Sequence, residues 1–215
     1  MVLAMMGGTI TAQSLPLQMR DGAGQLRLGV ATEGESQWLD LCKFKKKGTL
    51  YSFTKPVKTL KELGLTILPL KDSDGFIVKV ERGEATGDVQ LCWTFGGCSD
   101  RAGNYTTDSL APEDCRDNVF SVEGGSFITY YGQSMALRVT AGVTPTTSDI
   151  RLSDGNSQDS PLQLMNSGKK SDAPVICAMA PLTEDTPLYI CIYKQNAKAD
   201  YNYYMMAELF EKSKL

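Results

Sequence analysis

The chain has 215 residues, 42% of them hydrophobic and 22% charged, with a net charge of −3 and no histidine. Such a composition describes a folded globular protein of one large domain or two of about 100 residues each. It argues against a general nucleic-acid binder, which needs a basic footprint, and excludes every Ser-His-Asp, Cys-His or histidine-ligated zinc site.

The first stretch, MVLAMMGGTITAQS (1–14), is apolar and rich in small residues, the pattern of a signal-peptide remnant ending near Ala12 or of a flexible arm. Short strand-like runs follow at 24–32, 38–44, 49–53, 64–70, 76–80, 88–95 and 118–122. Each combines β-branched or aromatic residues with partial period-two alternation and nearby Gly, Asp or Pro. The second half repeats the pattern at 126–131, 134–139, 148–153, 161–165, 174–180 and 187–193. The final segment, YNYYMMAEL (201–209), reads as a last strand or a short C-terminal helix. No run reaches the 18 apolar residues that a spanning helix requires, so no membrane span is expected.

Strands at this spacing without intervening helices predict antiparallel β-sandwiches. Gly34, Ser36, Leu39 and Leu41 align with Gly132, Ser134, Leu137 and Val139, and a hairpin at 78–92 aligns with one at 177–191. The expected architecture is therefore all-β, with two tandem immunoglobulin-like sandwiches. The first covers residues 15–123 and the second 124–215, joined at the EGG of 123–125.

Six cysteines, an even number, permit complete pairing in a secreted chain, with 15 connectivities open from sequence. The alignment of the halves suggests Cys42–Cys92, which resembles the inter-sheet bridge of immunoglobulin-like domains, although the tryptophan usual between the cysteines is missing. It further suggests Cys177–Cys191, leaving Cys98–Cys115 to staple a long polar loop. Asn104-Tyr105-Thr106 is a glycosylation sequon within that loop, and with the N-terminal stretch it points to a secreted or extracellular-surface protein. The terminal Ser213-Lys214-Leu215 is instead a peroxisomal address, the alternative location.

Three features are candidates for binding. Lys43, Lys45, Lys46, Lys47, Lys55, Lys58 and Lys61 fall within 19 residues that contain no acid. They form either a patch for a polyanion, flanked by Tyr51 and Phe53, or the guard of an exposed edge strand. The 98–115 loop offers Arg101 and Tyr105 as contact residues, since loops on rigid sandwiches commonly carry recognition. Asp and Gly at 72–75 and 153–160 suit tight turns and do not complete a calcium-loop pattern, so no metal is expected. Glu33/Glu35 and Asp114/Asp117 are the carboxylate pairs an acid–base hydrolase would need. No cofactor motif is recognised.

The sequence thus predicts a non-catalytic recognition or adhesion protein whose partner is a protein or a glycan, with homo-oligomerisation open. The alternatives are a structural subunit assembling through strand edges and, third, a carboxylate-based or peroxisomal enzyme.

Overall fold

The computed structural model describes residues 15, 17–99, 110–132, 138–168 and 170–214. In chain order the first strands are β1 (Leu17–Gln18), β2 (Ala23–Ala31), β3 (Ser36–Trp38), β4 (Phe44–Lys47), β5 (Leu50–Thr54), β6 (Glu62–Pro69), β7 (Gly75–Arg82) and β8 (Val89–Cys98). After helix α1 (Pro112–Cys115) come β9 (Val119–Glu123), β10 (Ser126–Tyr131), β11 (Arg138–Val143) and β12 (Asp149–Asp154). Helix α2 (Pro161–Met165), β13 (Pro174–Leu182), β14 (Leu188–Lys194) and α3 (Met206–Lys214) complete the chain.

Two antiparallel sheets are built from these strands. The smaller runs β1-β2-β8-β13-β12, with β3 also paired to β2, and the larger runs β4-β5-β6-β7-β14-β11-β10-β9. Period-two alternation decides what lies between them. Leu26, Leu28, Trp93, Phe95, Ile176 and Ala178 of the smaller sheet meet Phe53, Leu65, Val78, Phe127, Tyr131 and Ile190 of the larger one in a single buried core. Phe127 stacks on Trp93 with ring centroids 5.6 Å apart.

The outer faces are buried too at their central strands, which explains the long apolar runs of β8, β13 and β14. Cys191, Tyr193, Ile77 and Val143 on the outside of the larger sheet are covered by Met206 and Phe210 of α3. Trp38, Leu110, Cys115, Leu164 and Met165 cover Val175 and Cys177 on the outside of the smaller sheet.

This arrangement corrects the tandem reading. Strands from both halves share both sheets and one core, and the expected joint at 123–125 is the tight turn of the β9–β10 hairpin. The segments 78–92 and 177–191 are not hairpins either, for each crosses from one sheet to the other. Their alignment nevertheless has a structural counterpart. The unit β2-β6-β7-β8 and the unit β11-β12-β13-β14 have the same connectivity with the sheets exchanged, and they interlock where β7 pairs β14 and β8 pairs β13.

The disulfide set is corrected as well: all six cysteines carry free thiols. Cys177 and Cys191 lie on the outer faces of opposite sheets, with the whole core between them. Cys42 packs against the inter-sheet core, donating to Trp38 O at 3.4 Å, while Cys92 alternates with the inward Leu91 and Trp93 and so faces the other side of its sheet. Cys98 and Cys115 are neighbours, yet their thiols donate to backbone carbonyls of Ala23 and Ala111 at 3.3 and 3.4 Å.

Residues 161–165, expected as a strand, are helical, residues 39–41 within the expected 38–44 strand form a 3₁₀ turn, and the final segment takes the helical one of its two expected forms. Residues 161–165 form α2 because Ser160 caps it, accepting the Gln163 N–H at 3.2 Å, and Pro161 takes the first turn, where its missing N–H costs nothing. Residues 203–205 form a 3₁₀ turn that leads into α3.

A candidate ligand cleft on the smaller sheet

On the outer side of the smaller sheet lies a cleft of about 430 Å³, lined by Arg27, Leu41, Leu110, Pro112, Gly155, Asn156, Gln158 and Asp159. Its floor begins with β2. Leu26, Leu28 and Val30 point into the core, so Arg27 and Gly29 point outward. Gly29 admits the Trp38 indole against the sheet, since a Cβ there would lie 2.9 Å from the ring and 2.8 Å from Pro161.

Arg27 is only 4% exposed, and each part of its guanidinium is occupied. Nε donates to both oxygens of Asp40 at 3.1 Å, Nη2 to Oδ2 at 2.9 Å and Nη1 to Gln158 O at 3.2 Å, while the group sits 4.5 Å over the Trp38 ring. The Asp40 side chain is 1% exposed. A bidentate, planar pairing of this kind is what a buried ion pair needs to offset its desolvation. Its charge is therefore cancelled within the wall and is not offered to the cleft.

Gln158 organises the rim. Its carbonyl oxygen accepts from Trp38 Nε1 at 2.8 Å as well as from Arg27. Its carboxamide accepts the Leu110 N–H at 3.2 Å and donates to Leu110 O at 2.8 Å, the two-point pattern of a strand partner. At the other end of the same loop Asn118 does likewise, accepting the Cys98 N–H at 3.0 Å and donating to Cys98 O at 2.6 Å. Two carboxamides, Asn118 buried and Gln158 half-buried, thus clamp the bases of the loop where the Cys98–Cys115 disulfide was expected. Neither was singled out from sequence; a lone Asn or Gln in a polar loop carries no local signal of burial.

The 154–159 turn supplies the third side. Asp154 accepts from Asn156 N at 3.0 Å, from Asn156 Nδ2 at 2.9 Å and from Ser171 Oγ, and these bonds hold its carboxyl below the usual aspartate range. Gly155 N donates to Ala173 O at 2.8 Å, tying the turn to the chain that enters β13. The turn presents Asn156 and Asp159 to solvent at the cleft. The lining therefore offers the Asn156 carboxamide oxygen, the exposed Asp159 carboxylate and backbone groups beside Leu41, which is 60% exposed.

The other sequence-predicted residues lie elsewhere. Lys45, Lys46 and Lys47 occupy β4, the edge of the larger sheet, with Lys43 just before it. Lys46 shares the inward side of Tyr51 and lies 4.9 Å over its ring, and Lys45 and Lys47 point outward, all exposed. That placement meets the edge-guard reading, in which inward-pointing charge keeps another strand from docking. Lys61 pairs with Glu84, and the Lys58 N–H donates to Glu35 at 3.0 Å. Glu33, Glu35, Asp114 and Asp117 are not among the residues that line the cleft. Arg101, Asn104 and Tyr105 lie outside the described residues.

Among the described residues no group of three His, Cys, Asp or Glu side chains is placed to hold a metal ion. Among them, too, no helix is long and apolar enough to cross a membrane. Burial raises the thiols of Cys92, Cys98 and Cys191 far above the ordinary cysteine range, Cys115 to about 12 and Cys177 to about 11. Such thiols are poor nucleophiles at neutral pH.

Comparison with curated proteins finds no match. A protein family described as "Domain of unknown function (DUF4450)" matches residues 19–214, which span the whole sandwich from the end of β1 through α3. The chain belongs to that family.

Proposed function

We propose that this protein is a non-catalytic recognition module whose cleft on the smaller sheet takes a short stretch of neutral, hydroxyl-rich ligand, such as a glycan. The observation that carries the reading is the lining itself. Asn156 and Asp159 place an exposed carboxamide and an exposed carboxylate beside an ion pair that has neutralised its own charge, and Leu41 adds an exposed apolar rim. Sugars present alternating hydroxyl and C–H surfaces, which such a mixture matches, and a volume of about 430 Å³ falls in the range of small-ligand sites. The clamped ends of the 98–115 loop add support, because a fixed rim lowers the ordering cost of binding. A secreted or cell-surface location rests on the Asn104 sequon and the N-terminal apolar stretch; the free thiols lend it no support.

The test is titration calorimetry against a panel of neutral and sulfated oligosaccharides. Binding of a neutral saccharide, weakened at least tenfold by Asn156→Ala, Asp159→Ala or Leu41→Ser, supports the proposal. Retention of sulfated chains alone, lost when Lys45, Lys46 and Lys47 are neutralised, would replace it with the polyanion reading of β4.

A further inference from the structure

The four sheet margins are not protected alike. β4 carries three consecutive lysines, β1 and β3 are only two and three residues long, and β12 carries Asp149 and Arg151 at its exposed start. These are the devices by which sheets avoid pairing with other chains. β9, the opposite edge of the larger sheet, has only the single charge of Glu123 at its turn end. Its sequence is Val-Phe-Ser-Val-Glu, without lysine or proline, and no described strand pairs with its outer side. Val119 is 63% exposed and Val122 43%.

We propose that β9 is a homodimerisation edge, pairing antiparallel with β9 of a second copy of this chain about a two-fold axis at Ser121. The strand is self-complementary in that register. Phe120 falls opposite Val122 of the second copy, twice over, and Val119 falls opposite Glu123 of the second copy, twice over. Pairing with β10 places Phe120 and Val122 on the same side as Thr129 and Phe127, so both apolar pairs form on the core side of a sheet continuous through the two molecules. No like charges stand opposite each other, and the two Glu123 side chains are separated by about four residues of strand, roughly 13 Å. The same operation at β4, about an axis at Lys46, would set Lys46 against Lys46 and Lys45 against Lys47 of the second copy, which like-charge repulsion forbids. One open edge and one guarded edge per chain make an isologous contact that closes at two copies and cannot grow into a filament.

Ser121 is exposed and opposite Ile128 of its own sheet, so replacing it alters the axis and not the monomer core. In sedimentation velocity the wild-type chain should shift with concentration from 23.5 kDa to twice that mass. Ser121→Glu and Ser121→Lys, each placing like charges across the axis, should each weaken dimerisation at least tenfold at unchanged melting temperature. Mixing the two variants should restore a dimer, because the charges then attract, and added salt should weaken that mixed dimer. A wild-type chain that stays monomeric to millimolar concentration overturns the proposal. So does a dimer indifferent to both substitutions, which must use another surface. If one variant fails to fold, the other decides alone by the same loss.

Discussion

Removing the Asp40 carboxylate should destabilise the protein far more than deleting the whole ion pair. In the native structure Arg27 has a side chain 5% exposed, three of its contacts go to Asp40 and one to the Gln158 carbonyl. Asp40→Ala leaves a guanidinium buried with a single neutral acceptor, and breaking a buried pair in this way costs about 3–5 kcal/mol. For a chain of this size each kcal/mol lowers the melting temperature by about 2–4 °C, so the expected fall is roughly 6–20 °C. The double variant Arg27→Met/Asp40→Leu removes both charges and keeps the volume apolar, and it should recover most of that loss. Urea titration at constant m-value measures both, and the double-mutant cycle isolates the coupling. A cost for Asp40→Ala below about 1 kcal/mol, the value of an exposed pair, would refute the account of a desolvated wall. So would a double variant no more stable than the single one.

Three other outcomes follow from the same structure. Gln158→Ala and Asn118→Ala each strip two hydrogen bonds from the backbone of a loop end, costing about 1–3 kcal/mol, and native-state hydrogen exchange should quicken first at Leu110 and Cys98 respectively. Alkylation of the native protein at pH 8 should reach Cys42, half-buried and outside the sheets, and spare the other five until denaturant is added; rapid modification of Cys92 or Cys191 would contradict their burial. Replacing Lys45, Lys46 and Lys47 with Val, Ile and Val removes the guard from β4 and should produce concentration-dependent association beyond the dimer, read by light scattering.

Alternation made most strands legible in the sequence, and β10 falls on the expected 126–131. α2 was also legible in principle. Its Ser-Pro start is a capping signal that competed with the apolar pattern of PLQLM, and the capping signal prevailed because Leu164 and Met165 needed only one turn to cover the sheet. The edge position of β4 was readable from its lysines, since charge on both faces of a strand is compatible only with an open margin.

Sequence by itself determined that this chain is β-rich, where most of its strands lie and that no histidine chemistry operates, because alternation and composition are local properties. The partners were decided only by the tertiary structure. That β8 pairs with β13, more than 80 residues away, as well as with β2 of its own half depends on which faces bury together, and a period-two pattern does not reveal it. The same ambiguity misled the cysteine pairing, for alternation does not say which sheet a strand joins, so Cys177 and Cys191 could be paired on paper across an entire core. The cleft was hidden for a related reason. Arg27, Asp40, Gln158 and Leu110 are ordinary residues far apart in sequence, and only the packing of α2 and the 154–159 turn over β2 removes them from water and makes each hydrogen bond matter.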